Sequence, residues 1–179
     1  MATHLALVGL PGSGKSTIGR QVARQGGWTF IDADHAIEEQ LGCTIRDYFA
    51  QHGEAAFRDV EAQVLAGLLQ APRPTVIATG GGAVLRAENR AALRAGSTVF
   101  YLQAAPEDIA RRLRGDTVRP LMQGVDALPR LQELLKVRGP LYREVAHYVL
   151  DTQRHNPNQV ARKICMQMDV AGLTGLGSI

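Results

Sequence analysis

The segment Gly9-Leu10-Pro11-Gly12-Ser13-Gly14-Lys15-Ser16 constrains the fold of this 179-residue chain more than any other. It fits the phosphate-loop pattern G-x-x-x-x-G-K-[ST], which works only between a strand and a helix. The flanks supply both. Leu5-Ala6-Leu7-Val8 is a short apolar run ending in glycine, as a strand buried on both faces of a parallel sheet does. Residues 14–24 then carry helical patterning. In such a loop the glycines let successive backbone N–H groups turn toward a phosphate, and the helix N-terminus adds partial positive charge. Lys15 is placed to bridge the β- and γ-phosphates of a nucleotide, and Ser16 to reach the Mg²⁺ that accompanies them. Gly12, Ser13, Gly14, Lys15, Ser16 and Thr17 are therefore the expected phosphate-binding residues. A plain glycine-rich turn is the competing explanation, and the strand–loop–helix context weighs against it.

Strand-like and helix-like segments alternate along the rest of the chain. Strands are expected at 28–31, 75–78, 98–102 and 148–150, and helices at 87–94, 106–114, 128–138 and 158–168. Residues 33–69 read as helical, with breaks near Gly42 and Gly53; the last part places Phe57, Val60, Val64 and Leu68 on one face. This alternation implies an α/β fold, a three-layer sandwich around a mainly parallel five-stranded sheet. One domain is expected over 1–169, followed by a disordered tail over 170–179, which has glycines and no charge. The 45% hydrophobic and 21% charged composition is that of a globular domain. Apolar runs stop well short of the ~20 residues that a membrane span needs. No basic segment precedes the glycine-rich loop, so no signal peptide is expected. Cys43 and Cys165 fit no metal or redox spacing, and a reducing cytoplasm is the expected setting.

In such a sheet, ligands gather beyond the carboxyl ends of the strands. Phe30-Ile31-Asp32-Ala33-Asp34 closes the second strand with two carboxylates. If that segment stays extended, residues two apart point the same way and both acids face one cleft. One acid near Mg²⁺ and another near an acceptor hydroxyl is what phosphoryl transfer requires, with Asp32 in the first role and Asp34 in the second. The alternative for Asp34 is a helix cap for the segment starting near His35.

Net charge is only +3, but its distribution is uneven. Residues 111–144 hold Arg111, Arg112, Arg114, Arg119, Arg130, Lys136, Arg138 and Arg143, opposed only by Asp116, Asp126, Glu133 and Glu144. Lys15, Lys136 and Lys163 are the only lysines among 20 basic residues, so the chain relies on arginine, which suits forked contacts to phosphate or carboxylate. Few aromatics are interleaved with these arginines, which argues against nucleic-acid binding. A solvated helix face is the bland alternative for any one of them.

Taken in order, the phosphate loop, Phe30-Ile31-Asp32-Ala33-Asp34, Gly53-Glu54-Ala55-Ala56-Phe57-Arg58, Gly80-Gly81-Gly82, Arg119-Pro120-Leu121 and Arg138-Gly139-Pro140-Leu141-Tyr142 resemble the signature series of the shikimate kinases. The resemblance runs from about residue 5 to 168. It implies the nucleoside monophosphate kinase-like variant of the phosphate-loop fold, with a mobile lid over 111–126 and substrate-binding helices over 33–62. The implied reaction is transfer of the ATP γ-phosphate to the 3-hydroxyl of shikimate, a step toward chorismate and the aromatic amino acids. Asp34 is then the catalytic base, with Lys15 and Arg119 on the transferring phosphate. Phe49, Phe57, Arg58, Gly80, Gly81, Gly82, Pro120, Leu121 and Arg138 are the implied shikimate contacts, and Arg58 and Arg138 hold its carboxylate. Glu54 and Glu61, four and three residues from Arg58 in the helical segment, can pair with it, and Glu61 is the expected support that holds its guanidinium in place. Arg112, Arg154 and Pro157 are implied around the adenine of ATP, Ser16 and Asp32 around Mg²⁺, and Gly115 and Gly124 as lid hinges. Met122 departs from the leucine more usual after Arg-Pro-Leu. The resemblance implies a monomer acting on small molecules, without a nucleic-acid or membrane partner. The alternative within the fold is another small-metabolite kinase such as a gluconate kinase; an inactive nucleotide-binding scaffold is opposed by the presence of Asp34 and Arg119.

Overall fold

The computed structural model describes residues 4–114 and 127–173. Five strands, β1 (His4–Val8), β2 (Thr29–Asp32), β3 (Thr75–Ala78), β4 (Ser97–Gln103) and β5 (Tyr148–Asp151), form one sheet in the order β2-β3-β1-β4-β5. Every neighbouring pair is parallel. The helices among the described residues are α1 (Lys15–Gly26), α2 (Ala33–Leu41), α3 (Ile45–Leu68), α4 (Ala87–Gly96), α5 (Pro106–Arg114), α6 (Ala127–Val145) and α7 (Pro157–Val170). This is the α/β sandwich that the alternation predicts.

The period-2 geometry of β1 sends its residues to two separate cores. Ala6 and Val8 face one side with Ile77, Val99 and Tyr101, under Leu65, Leu93, Ile109, Leu131 and Tyr142 of α3 to α6. Leu5 and Leu7 face the other with Val76, Phe100 and Leu102, under Ile18 and Val22 of α1 and Val160, Ile164 and Met168 of α7. A strand buried on both faces has no polar side, so residues 5–8 of β1 read as an unbroken apolar run after the buried His4. From β1 the chain crosses to β2 at one edge, and from β3 it crosses to β4 in the opposite direction. The crevice at this reversal opens beyond the carboxyl ends of β1 and β3, where the phosphate loop and the triple glycine begin. Thr79 closes the base of that crevice: its backbone N–H (3.1 Å) and hydroxyl (2.8 Å) both donate to the Leu7 carbonyl.

Three local expectations change. Helix α6 does not stop at Arg138 but continues through Gly139-Pro140 to Val145. Pro140 removes only the hydrogen bond to the exposed Lys136 carbonyl, while continuation buries Tyr142 and Val145 in the core. Strand β2 ends at Asp32, so Asp34 belongs to α2 and not to an extended segment. Helix α7 extends to Val170, the first residue of the expected tail. The break at Gly53 is present: φ 82° and ψ 174° turn the chain sharply inside α3, a conformation essentially restricted to glycine. Residues 174–179 of the tail and 115–126 of the expected lid lie outside the described residues; the latter include Gly115, Arg119, Pro120, Leu121, Met122 and Gly124. No helix among the described residues is long and apolar enough to cross a membrane.

Candidate active site

Helices α2, α3 and α7 each begin with a side-chain cap, from Asp32, Thr44 and Asn156. Helix α1 instead has Gly14 at its N-cap, with φ 96° and no side-chain cap. Its leading N–H groups are thereby left for an anion. The Lys15 ammonium lies back across the loop and donates to the carbonyls of Gly9 and Leu10, 2.8 Å each.

Two cavities meet at this loop and share Gly12, Gly14 and Thr17 as a common wall. The larger, about 710 Å³, also takes in Ser13 and Ile18, Arg111 and Arg112 from α5, and the turn from Thr152 to His155 with Pro157 beyond it. Arg154 in that turn has φ 63°, and the capping box between Asn156 and Gln159 anchors the helix that follows. The smaller, about 420 Å³, takes in Lys15, Ser16, Asp32, Asp34, Phe57, Arg58, Glu61 and Gly80 to Gly82. Arg138 and Phe49 are not among its lining residues. Phe49 reaches it through Phe57, whose ring lies 4.9 Å away. Arg138 sits close enough to Glu61 and Tyr142 to act on both electrostatically. Pro11, Ile45 and Thr79 line the cavity without having been singled out in the sequence. Pro11 and Thr79 adjoin motifs there, whereas Ile45, at the start of α3, offers no chemical signal.

Asp32 and Asp34 divide their duties. One oxygen of Asp32 caps α2, accepting from the N–H groups of Asp34 (3.0 Å) and His35 (3.3 Å); the other accepts from the Ser16 hydroxyl at 2.5 Å. The cap is Asp32, so the capping alternative for Asp34 falls away. Asp34 turns toward the triple glycine instead. Burial pushes its carboxyl up to about 6, aided by the Asp32, Glu61 and Glu38 charges and opposed by Lys15. A carboxylate tuned toward neutrality, beside a loop built for phosphate, is suited to take a proton. The Ser16–Asp32 pair offers a hydroxyl and a carboxylate oxygen side by side. Such a donor set fits Mg²⁺, which takes one or two protein oxygens and completes its shell with phosphate and water. No group of three or more His, Cys, Asp or Glu side chains that could hold a metal ion occurs among the described residues.

Arg58 is held from two sides. Its guanidinium pairs with Glu61 at 2.8 Å and Glu54 at 3.5 Å, and its Cζ lies 5.1 Å from the centre of the Phe57 ring. Glu61 is buried, which pushes its carboxyl up while Arg58 opposes the shift. The Arg58 Nε is buried without a hydrogen-bond partner among the described residues. The triple glycine gives each neighbour room. A Cβ at Gly80 would come within 2.7 Å of the Asp34 carboxylate, and one at Gly81 within 2.8 Å of Pro11. At Gly82 a Cβ would fall on the Arg58 guanidinium. The turn is pinned from α4, where Asn89 donates to Ala83 O (3.0 Å) and Arg90 to Val84 O (2.8 Å). Arg86 ties α4 to the Arg58 segment through Asp59 (2.6 Å) and Ala55 O (3.2 Å).

A phosphate cradle that opens onto a separate, smaller chamber, with a tuned carboxylate at the boundary, is the layout of a phosphate-loop kinase acting on a small acceptor. The shikimate kinase family model matches residues 11–169. A shikimate kinase of Paracidovorax citrulli (strain AAC00-1) is 51% identical over 169 residues, which is 93% of this chain and 92% of that protein. One of Ralstonia nicotianae is 47% identical, over 96% and 90% of the two chains. Among solved structures, shikimate kinase from Acinetobacter baumannii in complex with shikimate superposes with a TM-score of 0.87 at 40% identity, covering 96% of this chain and 95% of that one. The chain belongs to the shikimate kinase family.

Proposed function

We propose that this chain transfers the γ-phosphoryl group of ATP to the 3-hydroxyl of shikimate, giving shikimate 3-phosphate and ADP on the route to chorismate and the aromatic amino acids. The observation that carries this reading is Asp34: a carboxyl pushed up to about 6 by burial, lining the smaller cavity between the phosphate loop and Arg58. ATP occupies the larger cavity, with its adenine between Arg112 and the segment from Arg154 to Pro157 and its phosphates over Gly12 to Thr17. Ser16 and Asp32 hold Mg²⁺. When bound, that ion neutralises charge on the β- and γ-phosphate oxygens.

Shikimate takes the smaller cavity, its carboxylate on Arg58 and Arg138 and its ring against Phe57, with Phe49 behind. Gly80 to Gly82 bring the backbone close to it. Asp34 orients the 3-hydroxyl and accepts its proton as the oxygen bonds to the γ-phosphorus and the bond to the bridging oxygen breaks. Lys15 and Arg119 follow the charge on the moving phosphoryl group; Arg119, with Pro120 and Leu121 beside it, belongs to the proposed lid, 111–126. The proposed working unit is a monomer, and free cytoplasmic metabolites are its substrates.

Mass spectrometry and ³¹P NMR of a quenched reaction test transfer against hydrolysis. The expected result is ADP and shikimate 3-phosphate in equal amounts. ADP with inorganic phosphate and no phosphorylated shikimate would overturn the proposal.

A further inference from the structure

We propose that Tyr142 is a positioning residue for the acceptor, holding the Gly81 peptide and the Arg138 guanidinium in a fixed relation. Its side chain is fully buried, and its hydroxyl donates to the Gly81 carbonyl at 2.6 Å, joining α6 to the triple glycine across 61 residues of sequence. The ring packs on Tyr101, with centroids 5.1 Å apart. Because α6 continues through Pro140, Arg138 and Tyr142 fall four residues apart on one helix face. A phenol that donates one hydrogen bond still has lone pairs to accept another. Arg138, one helical turn earlier on the same face, is the group placed to donate it: burial pushes the Tyr142 phenol up to about 12, and the nearby Arg138 charge opposes that rise. The phenol therefore stays protonated at any working pH and keeps donating to Gly81.

On its other side Gly81 presses on Pro11 of the phosphate loop, where a Cβ would come within 2.8 Å of the proline ring. Tyr142, Gly81 and Pro11 thus form a continuous stack from the carboxylate-binding arginine to the nucleotide's phosphates. Arg138 also bears on Glu61, the partner of Arg58, so its placement affects both guanidinium groups. Tyr142 touches no reacting atom; it acts through Arg138.

This inference rests on shikimate being the acceptor, and its test keeps the two apart. Tyr142→Phe deletes one oxygen and leaves the ring. The expected result by calorimetry is a shikimate Kd raised about tenfold, the effect of one hydrogen bond to a charged group, with ATP affinity little changed. With saturating shikimate, kcat stays within about threefold of the unaltered enzyme. In an Arg138→Ala background the same change has no further effect on Kd, because the residue it acts through is gone. Tyr101→Phe, which removes an oxygen from the other ring of the pair, leaves Kd unchanged. A normal Kd in Tyr142→Phe, an equal loss in the Arg138→Ala background, or an equal loss in Tyr101→Phe would each overturn the proposal. In the unaltered protein, the buried Tyr142 hydroxyl proton shifts in the NMR spectrum when shikimate is added; an unmoved signal would also overturn it, whether or not the variant folds. If the unaltered protein binds no shikimate, the functional reading fails; if it binds and the variants behave alike, only Tyr142 loses its role.

Discussion

Asp34→Asn is expected to lower kcat by about 10²-fold or more while making the ligand-free protein more stable at neutral and alkaline pH. The two effects share one cause. Burial raises the Asp34 carboxyl from 3.8 to about 6, so the folded chain holds that proton more tightly than the unfolded chain. Above the folded-state value the group is ionised in both states, and the folded protein carries the full cost of a sheltered charge. As pH falls from about 6 toward 3.8 the folded state takes up the proton first and the cost disappears. Asparagine is neutral and nearly the same shape, so it removes a cost of about 2 kcal/mol, allowing for water that reaches a half-buried carboxyl. Denaturant titrations at about pH 8 should therefore show the variant ahead, with the advantage gone near pH 4. ATP binding should persist, because the phosphate loop is untouched. A variant with near-normal kcat would remove Asp34 from proton transfer, and one that is less stable at both pH values would remove the electrostatic account.

The second large effect is expected at Gly82. Its φ is not among the positive ones, so alanine is conformationally permitted there. The obstacle is Arg58, whose Nη1 and Cζ would lie 2.5 and 2.6 Å from the new Cβ. A guanidinium at the end of a flexible side chain can swing away, but only by leaving the acceptor cavity and the buried Glu61, whose carboxyl then loses its 2.8 Å partner. A charge-assisted contact to a carboxylate is worth about 1.5–3 kcal/mol, so Gly82→Ala should raise the shikimate KM by about tenfold or more. The KM for ATP should stay close to that of the unaltered enzyme, while the melting temperature falls by the cost of leaving the buried Glu61 without its partner. A normal shikimate KM would mean that Arg58 does not hold the acceptor from its present position, and a collapse of stability would mean that the turn cannot take a methyl group.

These two residues also show where the sequence was informative. The phosphate loop, the alternation of elements and the break at Gly53 each leave a local signal: glycines where φ must be positive, apolar runs where both strand faces are buried. The importance of Asp34 was legible too, but for a different reason. It reaches the cavity from the first turn of α2, and Asp32 supplies the cap, a division set by where β2 ends. Arg138 was legible by type, whereas its place on one helix with Tyr142 was not, because Gly139-Pro140 reads as a helix stop and only the burial of Tyr142 and Val145 carries the helix onward. The fit of Gly82 to Arg58 and of Gly80 to Asp34 arises between segments far apart in the chain, where spacing along the sequence carries no information.

The most direct test of the central claim is a coupled ADP-release assay with Mg²⁺-ATP and a small panel of acceptors: shikimate, gluconate, AMP and CMP. A compact chamber lined by Asp34 and Arg58, with Arg138 proposed as the second carboxylate contact, favours a ring carboxylate with a hydroxyl across from it. Rapid ADP release with shikimate and only background release with the others is the predicted result; equal turnover on gluconate or on either nucleotide would contradict it.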